Sequence, residues 1–121
     1  MPIKSKPAKK AILAELRRSR TKADELEQEL IMQGEDEEAE KVRRANKRLV
    51  RRIDALVAVM MRDWLGQSAT LQADLRRRNA RLQGCIRDVQ KKLKVAENVV
   101  RATGLIDEAA KLAAVAAGAM T

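Results

Sequence analysis

The chain has 121 residues, 45% of them apolar and 36% charged, with one Trp and neither Phe nor Tyr, and 26 basic against 17 acidic residues set a net charge of +9. This length suits one domain with a single modest core. The lack of His removes the commonest metal ligand and general base, and a lone cysteine, Cys85, excludes an intrachain disulfide.

Leu, Ala, Val, Glu, Lys and Arg dominate, a mixture suited to long helices. The aromatic and β-branched runs that mark strands are missing. The excess of positive charge fits an anionic partner such as nucleic acid, a membrane surface or an acidic protein. No apolar run reaches the roughly 18 residues of a membrane span. The opening residues lack the apolar core of a secretory signal, so a cytoplasmic location is the expectation.

Residues 1–7, with Pro2, Lys4, Lys6 and Pro7, read as a disordered basic tail, leaving 8–121 as a single helical bundle domain. Ser5 is placed to cap a first helix, with Pro7 in its first turn. The seam Ile12, Leu16, Ser19, Ala23, Leu26 and Leu30 follows at spacings of three and four, weakened at Ser19 and Ala23, and the helix should end at Gly34. The acidic run Glu35, Asp36, Glu37, Glu38 then suits the N-terminus of a second helix. Its seam is Ala39, Val42, Asn46, Leu49, Ile53, Leu56 and Met60. Gly66 and Ser68 read as a stop and a cap, which predicts a hairpin, although an 11-residue apolar repeat through Ile53, Trp64 and Leu75 also allows one unbroken helix.

The third stretch has the strongest seam: Leu75, Asn79, Leu82, Ile86, Val89 and Leu93, continuing to Ala96 and Val100. It predicts a helix to about residue 103 that stops at Gly104. A short Ala-rich helix over 105–119 would follow. The expected helices are thus 8–33, 35–65, 68–103 and 105–119. They form an all-α antiparallel helical bundle, or coiled-coil hairpin, of three long helices plus a short Ala-rich C-terminal one. Trp64 with Met60 and Met61 reads as core at one bundle end, and Cys85 as structural. Asn46 and Asn79 sit at seam positions, where a polar side chain either fixes register or faces the solvent edge.

No catalytic or metal-binding constellation emerges. The glycines are scattered rather than gathered in a phosphate loop, Cys85 has no His partner, and the acidic run lacks calcium-loop spacing. A non-enzymatic role without cofactor or small-molecule substrate is expected. Folding the hairpins places Arg17, Arg18, Arg20, Lys47, Arg48, Arg51, Arg52, Arg81 and Arg87 at one height, as a basic belt. The same folding sets Glu25 and Glu27 near Lys41 and Arg43, and Glu37, Glu38 and Glu40 near Lys92 and Lys94. Two functions follow as expectations. One is a helical interaction or assembly module, self-associating through the seam of the third helix or pairing with another helical protein. The other is a basic protein that binds nucleic acid through the phosphate backbone without sequence preference. Peripheral membrane contact is a weaker third, since bulky interfacial aromatics are lacking.

Overall fold

Helix α1 (Lys6–Met32) begins where its sequence provides a cap: the Ser5 hydroxyl accepts the Ala8 N–H at 3.2 Å, and Pro7 occupies the first turn. It ends at a left-handed Gly34 (φ +76°). There the Glu35 N–H reaches Leu30 O and the Gly34 N–H reaches Ile31 O, the paired bonds of a Schellman motif. Helix α2 (Asp36–Ala58) opens on Asp36, Glu37 and Glu38, as helix polarity favours. This computed structural model describes residues 2–118, which are all-helical, with four helices packed on one another and no strand. Met1 and residues 119–121, the last part of the expected domain and final helix, lie outside the described residues.

The chain breaks at Gly66 (φ +100°), so an unbroken helix through this point is excluded. The expected hairpin does not form there either. Helix α3 (Ser68–Gln90) packs on α1 and not on α2, and the chain crosses the bundle end diagonally over residues 59–67. Helix α2 therefore stops at Ala58, earlier than the sequence suggests. Ser68 is the first helical residue of α3, and its N-cap Gln67 makes no side-chain capping bond.

Trp64 plugs the crossover end. It is fully buried, and its ring N–H donates to Val59 O at 3.1 Å. Its backbone exchanges two hydrogen bonds with Ile3, which is itself buried, so the N-terminal stretch expected to be free is anchored at Ile3. Lys9 closes the same end. Its ammonium donates to Met60 O and Arg62 O, both at 2.8 Å, and lies 5.7 Å from the centre of the Trp64 ring.

The second correction concerns α3 and α4. The break lies at residues 91–94, and α4 (Val95–Ala116) runs straight through Gly104. The reason is a slip of phase. Leu93, Ala96 and Val100, which continue the α3 seam, are exposed, whereas Val99, Ala102, Ile106, Ala109 and Ala113 form a separate buried stripe with no gap at Gly104. Four helices of similar length result, not three long and one short. The turn carries a second Schellman motif, with Lys92 (φ 60°) in the position Gly34 takes in the first. Lys94 is also left-handed (φ 43°). Buried Asn98 holds this turn by donating to Leu93 O and Lys94 O at 3.0 and 3.2 Å.

Around the bundle the order is α1, α2, α4, α3, with α2 diagonal to α3. Helices α1 and α3 run parallel, as shown by Ser19 with Asn79, Lys22 with Gln83 and Gln33 with Val89. The α1–α3 contact contains a buried polar cluster. The Ser19 hydroxyl donates to Asn79 Oδ1 at 2.6 Å, and Asn79 Nδ2 donates to Glu15 O at 3.0 Å.

Candidate anion-binding surface

Diagonal placement of α2 and α3 divides the basic belt. The hydrogen bond from Asn46 to Asp24 at 2.7 Å fixes one side of α1 against one side of α2. Arg20 and Arg17 lie one and two turns before Asp24 on that side of α1. Lys47 and Arg51 line the cleft opposite, above Val50 and Asn46. This α1–α2 cleft measures about 570 Å³. The ion pair of Arg43 with Glu27, at 3.1 Å, closes it toward the Gly34 end, as the sequence suggests. Glu37, Glu38 and Glu40, by contrast, make no ion pair with Lys92 or Lys94: Glu38 binds Lys41, and Glu40 binds Arg43 and Arg44.

The other belt residues lie elsewhere. Arg18 is turned toward α3, where it and Arg76 face the buried Glu15 carboxylate at 3.0 and 4.0 Å. Arg48 points to α4 and holds Asp107 through two bonds, at 2.9 and 3.0 Å. That hydrogen bond raises the Arg48 pKa above its ordinary value, so its charge is fixed. Arg52, one turn on, shares the α4 side. Arg81 belongs to the α3–α4 face and Arg87 to the α1–α3 face.

Pairing separates these residues further. Arg17, Arg20, Lys47 and Arg51 make no ion pair with any described residue, and all four are exposed. Asp24 and Asp54 are the nearby carboxylates on this side of the two helices. Asp24 is engaged by Asn46. Both carboxylates keep their charge, since the Asn46 amide is neutral, but Arg17, Arg20, Lys47 and Arg51 outnumber them; of these four, Lys47 and Arg51 line the cleft itself, and Arg17 and Arg20 lie along its α1 edge. Three of the four, Arg17, Arg20 and Arg51, carry guanidinium groups on helices, planar forks suited to phosphate oxygens.

The seam expected to recruit a second copy lies inside the chain. Leu75, Asn79, Leu82, Ile86 and Val89 are buried between α3 and its neighbours, and only Leu93, in the turn, is open at 52% exposure. A second copy could reach the other five only by opening the bundle. Cys85 is buried and unpaired. Burial pushes its thiol pKa up, with nearby Arg101 pulling the other way.

Among the described residues, no group of three His, Cys, Asp or Glu side chains is placed to hold a metal ion. No described helix is long and apolar enough to cross a membrane. Comparison of the chain with protein-family models, curated proteins and solved structures finds no match.

Proposed function

We infer that the protein is a non-enzymatic helical module that binds a polyanion, with the phosphate backbone of nucleic acid as the partner its surface suits best. The observation that carries this reading is the α1–α2 side, where Lys47 and Arg51 line the cleft, Arg17 and Arg20 lie along its α1 edge, and all four are exposed and held in no ion pair with a described residue. Backbone contacts position a protein but do not read bases. The only aromatic side chain, Trp64, is fully buried and offers no stacking platform. Binding is therefore expected to be electrostatic and indifferent to sequence. Fluorescence anisotropy with labelled duplexes of unrelated sequence, at low salt, tests this. Similar affinities are expected for every duplex, with a marked loss on changing Arg17, Arg20, Lys47 and Arg51 to Gln. Absence of binding at low salt would refute the reading.

A second reading, self-association, is favoured by the crossover end. Leu65, Leu71, Leu112 and Val115 line an apolar groove there, and Met61 nearby is 97% exposed. If this face joins two copies, sedimentation will show a dimer that persists in high salt and is lost on Leu65→Asp. A monomer throughout the micromolar range would rule it out.

A further inference from the structure

The opposite face of the bundle, between α3 and α4, carries a second cleft of about 410 Å³. The bond from Arg78 Nε to Glu108, at 2.9 Å, sets the antiparallel register of these two helices. It brings Cys85 level with Arg101, and Arg81 level with Leu105. Arg81 and Arg101 therefore stand about one helical turn apart on opposite walls, and both line the cleft. Neither makes an ion pair with a described residue. Glu108 is the only carboxylate lining the cleft, and Arg78 already occupies it. Two guanidinium groups are left facing the same space without a counter-charge.

Asn98, whose amide N–H groups donate to Leu93 O and Lys94 O, closes the cleft at the turn, and the rest of the wall is apolar and open. Val100 is 66% exposed, and Leu105 is half-buried beside it. Gly104 lies within α4, where glycine weakens a helix, and packing does not require it: a Cβ at Gly104 would meet no atom within 4 Å. Its missing side chain leaves the helix backbone accessible from the cleft. Buried Cys85 contributes to the lining from α3. Paired guanidinium groups suit oxyanions, and an exposed valine beside them gains by being covered.

We propose that the α3–α4 cleft binds a small amphipathic oxyanion, a phosphate monoester or carboxylate with a short apolar tail, held by Arg81 and Arg101 with the tail on Val100 and Leu105. The site is separate from the polyanion cleft, since α1 and α2 contribute no residue to it.

Cys85, the single cysteine, reports on occupancy. Its modification by a neutral aromatic disulfide is followed at fixed pH and salt, with hexyl phosphate, hexanoate, inorganic phosphate or hexanol present. At ten times its Kd, a ligand that covers the cleft should slow the reaction about tenfold, since only the free fraction reacts. Hexyl phosphate or hexanoate is expected to protect, and protection by one alone identifies the head group. Inorganic phosphate should protect more weakly, and hexanol not at all. Arg81→Gln with Arg101→Gln should abolish protection while leaving helicity unchanged. The fourfold Gln variant of the α1–α2 cleft should retain it, so this site and the polyanion reading can fail independently. Equal protection by hexanol, protection surviving in the double Arg variant, or no protection by either anion would overturn the proposal.

Discussion

The buried Ser19–Asn79 cluster gives the sharpest prediction about stability. Asn79 makes two hydrogen bonds in the α1–α3 contact, accepting from Ser19 and donating to Glu15 O. Each is worth about 1 kcal/mol net. Asn79→Ala removes both and leaves a small cavity worth roughly 1 kcal/mol more, a total near 3 kcal/mol. Asn79→Leu loses the same bonds but buries an apolar side chain, which returns about 2 kcal/mol. Ser19 is not orphaned in either case, because its hydroxyl can turn to Glu15 O, 3.3 Å away. Asn79→Leu should therefore lie within about 1 kcal/mol of the parent protein. Asn79→Ala should lower the melting temperature by on the order of 12 °C, taking about 4 °C per kcal/mol for a chain of this size. Urea and thermal melts followed by circular dichroism measure both, and a double-mutant cycle with Ser19→Ala should show coupling of about 1 kcal/mol. A leucine variant as damaged as the alanine variant would refute the reasoning, as would an alanine variant near the parent stability.

Three further outcomes follow from single residues. Lys9→Met removes two charge-assisted bonds from the crossover end and should cost about 3 kcal/mol, with faster amide exchange over residues 59–67. Lys92→Gly relieves a left-handed side chain and Gly104→Ala restores helix propensity, so each should stabilise by up to about 1 kcal/mol in urea melts, whereas Gly34→Ala should destabilise. Cys85 has a folded pKa raised above its ordinary value of 9.0, first by burial. The folded state therefore favours the protonated thiol, and its contribution to stability is complete below that value and lost as pH rises through the folded pKa. The urea midpoint should consequently fall faster with pH above 9.0 than that of Cys85→Ala.

The helices themselves were legible because burial imposes a three-four apolar spacing, and Ser5 and Gly34 mark their ends as expected. The turn at residues 91–94 was hidden because it uses lysine where the first turn uses glycine. Its signals are the phase slip from Val89 to Val99 and the Asn98 side chain that holds the turn. Gly104 misled because a glycine in a helix resembles a stop when its neighbours are unknown. The belt was read at the right height along α1 and α2, where the short Gly34 turn fixes the register. Arg81 shares that height, since the Ser19–Asn79 and Lys22–Gln83 bonds set it level with Arg20, but it lies on another side of the bundle, because no local feature of residues 59–67 announces a diagonal crossing. The cleft at Arg81 and Arg101 was invisible because it depends on α4 starting at Val95, nine residues before the expected stop at Gly104.

The salt dependence of duplex binding tests the polyanion reading most directly. The slope of log K against log salt reports the number of phosphates neutralised, at about 0.9 per contact. If Arg17, Arg20, Lys47 and Arg51 each engage a phosphate, changing all four to Gln should flatten the slope by about 3.6. A control with the same change in net charge, replacing Arg52, Arg81, Arg87 and Lys111, should flatten it far less. An equal effect of the two sets would show that the charge acts diffusely, and an unchanged slope in the first would show that the cleft does not hold the duplex.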